Sequence, residues 1–383
     1  MQTSLTAALR RWGIPLAVAL AAPCMLGAQD GNGEWDVTRA RGRTHTIDFT
    51  TDQGTWMSVD VSPDGRWILF DLLGQVYRVS AQGGAAELLT RESGVAVNYH
   101  PRYSPDGSRI VFVSDRGGQS NPWVMNADGS DPRPVFTDLD TRVVEPTWMP
   151  DGRAIVVRQQ PLRGSRRGSG IWTYPVDGGD GRELLGASHR GAAWASPSRD
   201  GQYLYYPFPS SSVRGDVLKG GYQLRRLELA TGRISEVTSG EDQEQYRGSS
   251  GGAIAPEVSP DGRWLAFARR IPDGTISYKG QRIGPRTALF LRDLQSGAER
   301  VLMDPIEFDM AEGIKTLRVL PGYAWAADGR SIVVAQGGRI RRVDVASGQV
   351  STIPFEARVQ RTVSEMARGA RRLSDGPVDV RFT

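Results

Sequence analysis

Apolar residues gather along this chain in short runs, each following closely on an Asp-Gly pair. The runs are Trp67-Ile68-Leu69-Phe70, Ile110-Val111-Phe112-Val113, Ile155-Val156-Val157, Tyr203-Leu204-Tyr205-Tyr206, Trp264-Leu265-Ala266-Phe267 and Ile332-Val333-Val334. They are β-branched and aromatic, and too short for helices. Their unbroken apolarity predicts strands buried on both faces. Ahead of them stand Ser62-Pro63-Asp64-Gly65, Ser104-Pro105-Asp106-Gly107, Met149-Pro150-Asp151-Gly152, Ser198-Arg199-Asp200-Gly201, Ser259-Pro260-Asp261-Gly262 and Ala326-Ala327-Asp328-Gly329. Proline presets φ, aspartate bonds the turn backbone, and glycine accepts the positive φ that closes a hairpin. An apolar or aromatic residue (Val61, Tyr103, Trp148, Val258, Trp325) precedes five of these turns.

A third strand follows each run, as in Val76-Tyr77-Arg78-Val79, Trp123-Val124-Met125 and Ile340-Arg341-Arg342-Val343, and ends at a glycine turn. A short outer strand such as Glu87-Leu88-Leu89-Thr90 closes the unit. Successive turn aspartates are separated by 42, 45, 49, 61 and 67 residues. A period near forty with four strands per repeat predicts an all-β fold, a β-propeller with six recognisable blades across residues 44–354. Period-two runs and dense turn glycines exclude a helical solenoid. Chain length grows only between second and third strands and between blades. In an up-and-down sheet those connections share one face, which predicts binding there.

The amino terminus changes the picture. Arg10 and Arg11, the apolar run Ile14 to Ala22, and Leu26-Gly27-Ala28 have the layout of a secretory signal peptide over residues 1–28, and the run is too short to span a bilayer. Residues 29–43 read as a linker. Export to the periplasm or outside the cell follows, and cleavage near Ala28 removes Cys24, the single cysteine. The mature chain then depends on packing alone. Basic and acidic residues stay closely balanced, with lysine only at positions 219, 279 and 315, and no basic face is concentrated enough for nucleic acid.

Ser104 to Pro134, with Ser114-Asp115-Arg116-Gly117-Gly118 and Trp123-Val124-Met125-Asn126-Ala127-Asp128-Gly129, resembles TolB-type propeller repeats. Asp48 to Ser62, Val95 to His100, Pro321-Gly322-Tyr323-Ala324-Trp325 and Ile340 to Val345 resemble the propeller of bacterial propeller-amidohydrolases. That resemblance implies a carboxy-terminal amidohydrolase barrel as partner, hydrolysing carbon–nitrogen bonds with a divalent metal. The barrel's His-x-His pair is not in this chain, whose histidines are His45, His100 and His189. No cofactor is therefore expected here, and the chain reads as a non-catalytic module gating substrate or scaffolding. The alternative is a stand-alone TolB-like propeller that binds a periplasmic protein or a small molecule. The resemblance also makes Phe355 to Arg368 a linker and Pro377 to Phe382 the first strand of an incomplete seventh blade. Thr44 to Thr50 then reads as a closing strand with no completed blade to join, and one blade interface is expected to be unformed.

Candidate chemistry is sparse. Asp60, Arg102 and Glu257 align two positions before the first turn residue, while His100 and Glu145 match each other further back on the same innermost strand. These five are the channel-lining binding candidates. Gly248-Ser249-Ser250-Gly251-Gly252 matches a nucleophile elbow formally, but no histidine follows it, so it reads as an inter-blade loop. Asp138-Leu139-Asp140 and Asp177-Gly178-Gly179-Asp180 lack calcium-loop spacing and read as turns. The basic stretch Arg163 to Gly168 reads as a loop.

Overall fold

In the turn Ser62-Pro63-Asp64-Gly65 the Ser62 hydroxyl donates to Asp64 at 2.5 Å and accepts from the amide of Trp67, while Asp64 accepts from the amide of Arg66. The same arrangement recurs at Ser104, Ser198 and Ser259. Gly65 and Gly107 have φ of 71° and 73°, where L side chains are strained. The turn residues thus satisfy the backbone of a tight reversal and launch the buried second strand.

The computed structural model describes residues 36–162, 169–189, 192–209, 222–238, 253–271, 276–278, 281–283, 286–307 and 320–365. They form six four-stranded antiparallel sheets, each running outward in chain order. The blades are Val59–Val61, Trp67–Leu72, Gln75–Ser80 and Glu87–Leu88; Asn98–Tyr103, Arg109–Ser114, Asn121–Asn126 and Arg133–Pro134; and Thr141–Trp148, Ala154–Pro161, Gly170–Pro175 and Arg182–Leu185. The fourth comprises Ser196–Pro197, Tyr203–Pro209, Tyr222–Glu228 and Ile234–Glu236. The fifth comprises Ala253–Val258, Trp264–Ile271, Arg286–Asp293 and Glu299–Met303. The sixth comprises Tyr323–Trp325, Ser331–Gln336, Arg339–Asp344 and Val350–Ile353. The fold is a β-propeller, as the repeats predict. Second strands are buried on both faces, with Ile110 to Val113 and Leu265 to Ala268 wholly enclosed between neighbouring sheets.

The ring closes with six blades. A Cβ added to Gly107 would lie 3.4 Å from Pro63, one on Gly152 3.7 Å from Pro105, and one on Gly329 3.9 Å from Pro260. These three turn glycines therefore sit against the preceding blade's second turn residue, whereas Gly201 and Gly262 have nothing within 4 Å. Gly65 of the first blade stands in the same relation to Ala327 of the sixth, at 3.6 Å. The expected unformed interface is thereby corrected. Val333, Ala335 and Ile340 of the sixth blade share one buried cluster with Val59, Ile68 and Phe70 of the first.

The tail reading is corrected as well. Phe355–Ser364 is a ten-residue strand and not a linker. From Ala357 to Ser364 it pairs antiparallel with the whole of Thr44–Thr51, from Thr44 opposite Ser364 to Thr51 opposite Ala357. It also pairs in parallel with Gly84–Ala85 beside the first blade. Phe355, Ala357 and Val359 alternate inward into the cluster joining first and sixth blades, and the Phe355 ring lies 4.8 Å from that of Phe70. The amino-terminal strand thus joins this strand, with no seventh blade required. The leader at 1–28, the linker up to residue 35, and the strand proposed at Pro377 to Phe382 lie outside the described residues, as do large parts of the long connections.

Candidate functional site

Innermost strands alternate side chains between faces, so one position in two points at the central axis. The position four before each turn aspartate does so in all six blades. It holds Asp60, Arg102, Thr147, Ser196, Glu257 and Ala324, which together line a cup of about 280 Å3. Above them the second turn residues form a collar of Pro63, Pro105, Pro150, Arg199, Pro260 and Ala327. The cup therefore opens on the short-turn face, opposite the lengthened loops on which binding was expected.

Arg102 dominates the interior. Its guanidinium donates to Asp60 of the first blade at 3.2 Å and to Glu257 of the fifth at 2.6 Å. In a six-bladed ring the second and fifth blades face each other, so this side chain crosses the channel as a strut. Its side chain is only 8% exposed, against 14% for Asp60 and 17% for Glu257, which separates this triad from the surface pairs elsewhere. Burial works against the Arg102 cation, but the carboxylates of Glu257 and Asp60 outweigh it and raise its pKa. Burial, aided by nearby Glu257, raises the Asp60 carboxyl despite Arg102. Two carboxylates sharing one guanidinium make the second negative charge costly.

These groups also join the blades. Asp60 accepts from the amide of Tyr103 in the next blade at 2.7 Å, and Ser196 is similarly placed at 3.4 Å from the amide of Val258. These two inner positions thereby supply an acceptor to the exposed edge of the following strand. The residue after it contributes the reverse contact where it is tryptophan. Trp148 donates Nε1 to the carbonyl of Arg102 at 3.1 Å, and Trp325 does the same to Glu257 at 3.0 Å.

Of the five sequence candidates, Asp60, Arg102 and Glu257 come together. His100 and Glu145 occupy equivalent places elsewhere, at bulges six residues before the turn aspartates, with φ of 54° and 56°. The amide of His100 donates to Asp71, and its ring packs edge-on against Tyr99. Glu145 accepts from the amide of Trp194 at 2.7 Å and pairs with Arg158. Neither side chain lines the cup. The residues not singled out, Thr147, Ser196 and Ala324, share the alignment of Asp60; Arg199 was visible as the arginine replacing a turn proline.

The remaining motifs yield less. Asp140 donates its amide to Asp138 at 2.8 Å, an Asx turn, and Asp177 pairs with Arg109 and Arg133. Among the described residues no group of three or more His, Cys, Asp and Glu side chains is arranged to hold a metal ion. Residues 163–168 and the glycine-serine segment around Ser250 lie outside the described residues.

Over residues 52–166 the chain matches the family model described as the TolB beta propeller domain. It is 29% identical over 175 residues to an uncharacterised peptidase of Bacillus subtilis, covering 45% of this chain and 22% of that one. It is 25% identical over 292 residues to tricorn protease homolog 1 of Streptomyces coelicolor, covering 75% and 23%. It is 34% identical over 127 residues to the Tol-Pal system protein TolB of Anaeromyxobacter dehalogenans, covering 31% and 27%. The matched stretches thus span about a quarter of these relatives' lengths. The solved TolB of Acinetobacter baumannii superposes with a TM-score of 0.52 at 14% identity, over 79% of this chain and 65% of that one. Puromycin hydrolase gives 0.51 at 17% identity, over 79% and 47%. Both similarities concern the fold alone. The relatives named are peptidases and TolB, so the TolB-like part of the sequence resemblance stands and the amidohydrolase part finds no support among them.

Proposed function

We propose that this TolB-like propeller is the non-catalytic module of an exported hydrolase acting on carbon–nitrogen bonds, and that it scaffolds the hydrolase without conducting substrate through its channel. The observation that carries this reading is the Arg102 strut. An ion pair from the second blade to the fifth obstructs the axis, and the inner ring is occupied by ion pairs and blade-to-blade hydrogen bonds. Among the described residues lining the cup there is no histidine to serve as a base for its hydroxyls. Two of the relatives that share this propeller are a peptidase and a protease homolog about four times as long as the matched stretch, which supports a hydrolase partner. Export rests on the leader at residues 1–28.

The test is made on the native protein. An antibody against the propeller should detect a polypeptide well above 41.8 kDa in the exported fraction, and immunoprecipitates should hydrolyse amide or peptide substrates. Loss of activity with a chelator would identify a metal-dependent amidohydrolase partner; loss with a serine-directed inhibitor would identify a peptidase. The isolated chain should be inactive with or without zinc. A native polypeptide of 41.8 kDa or less with no co-precipitating hydrolase would favour the stand-alone binding propeller, and activity abolished by Ser250→Ala would overturn the non-catalytic reading.

A further inference from the structure

Arg199 occupies a collar position that is proline in four of the other five turns. Proline is favoured there because it presets the turn, so arginine forgoes a local advantage. Its hydrogen bond among the described residues, from Nε to the carbonyl of Ser259, is long at 3.5 Å and uses neither terminal nitrogen. Arg199 lines the cup mouth on the fourth blade, above the hydroxyl-bearing inner positions Thr147 and Ser196 of the third and fourth blades. Asp60 and Glu257 lie on the first and fifth. Arg199 on the fourth blade thus stands beside the fifth, which carries Glu257, so a cation and a carboxylate adjoin in the cup, and at its floor the single guanidinium of Arg102 is shared by two carboxylates.

We propose that this cup is a binding site for a free amino acid, with its ammonium on Glu257 and Asp60 and its carboxylate on Arg199 and the hydroxyls of Thr147 and Ser196. A bare cation would meet Arg199, and a bare anion would meet the two carboxylates; a compact zwitterion, whose own charges lie close together, answers both. Glu257 uses Oε1 for Arg102 and Trp194, which leaves its other oxygen for an ammonium. At about 280 Å3 the cup lies at the lower end of the range of small-molecule pockets, which suits a small amino acid. Trp148, Trp325 and Val258 add apolar wall for a short side chain. The inference rests on the cup alone and holds whether or not a hydrolase domain is attached.

The test is calorimetric titration of the full chain at low ionic strength with L-alanine and its two halves, ethylamine and propionate. Alanine should bind saturably, and each half at least about tenfold more weakly, since each lacks one charge-assisted contact. Arg199→Pro restores the repeat's own residue, so its melting temperature should not fall, while its alanine affinity should drop to that of ethylamine. Glu257→Gln should reduce alanine binding to that of propionate. Absence of saturable alanine binding, alanine binding no tighter than ethylamine, or unchanged affinity in folded Arg199→Pro would each overturn the proposal.

Discussion

Arg102 and Glu257, 155 residues apart in the chain, meet at 2.6 Å across the centre of the ring. Blades separated by long stretches of sequence are therefore locked through one guanidinium, which also holds Asp60. Removing Arg102 leaves two largely buried carboxylates facing each other. Arg102→Met should cost about 3–5 kcal/mol, the usual penalty for orphaning buried charge. Chemical denaturation checks this. If Glu257→Gln in the Arg102→Met background recovers part of the loss, the penalty is electrostatic; no recovery would mean that packing is responsible.

Trp148 and Trp325 make one contact in two places, each donating to the carbonyl of the preceding blade's inner residue. Trp148→Phe and Trp325→Phe should each lose about 1 kcal/mol from the hydrogen bond, plus a cavity contribution. Because the geometry repeats, the two variants should agree closely in urea melts. A large difference would show that the contact is incidental to one of them.

The turn aspartates give stability a dependence on acid. Hydrogen bonds from Ser62 and the Arg66 amide hold Asp64 down to about 2, and those from Ser104 and Ser108 do the same for Asp106. A depressed carboxyl contributes stability that is complete above its unfolded value of about 3.9 and is lost as pH falls through the folded value. Asp60, raised by burial, acts with the opposite sign, its penalty being relieved on acidification. The six-bladed ring should therefore weaken between about pH 4 and pH 2. Ser62→Ala should move acid unfolding, followed by circular dichroism, to higher pH.

The blades were legible because every one announces itself by a local signal, the Asp-Gly turn followed by a β-rich run. The channel triad was legible for the same reason: Asp60, Arg102 and Glu257 fall at one offset from the turn. Their closure into an ion pair depends on the ring having six members, which no local pattern states. His100 and Glu145 were read as lining because they lie on the innermost strand. The bulges ahead of Pro101 and Pro146 turn them out of register with Arg102. Phe355, Ala357 and Val359 carried a clear period-two signal, but the family resemblance made that stretch a linker. Its partner strand lies some three hundred residues earlier, a pairing invisible to local reading.

That pairing sets the last prediction. The strand Phe355–Ser364 brings the Phe355 ring against Phe70 and seals the cluster where the sixth blade meets the first. Phe355 is 4% exposed, whereas Phe49, on the strand paired to it, is 43% exposed. Burial and its loss should separate the two sharply. Phe355→Ala removes a filled site that its neighbours cannot readily collapse to fill, and should cost about 3–5 kcal/mol. Phe49→Ala touches a solvent-facing side chain and should stay within about 0.5 kcal/mol. The Phe355 loss should appear as a lowered melting temperature and as faster hydrogen exchange in Trp67–Leu72 and Ser331–Gln336, the second strands of the two joined blades. Equal effects of both substitutions, or exchange confined to the Thr44–Thr51 ribbon, would mean that the ring closes without this strand.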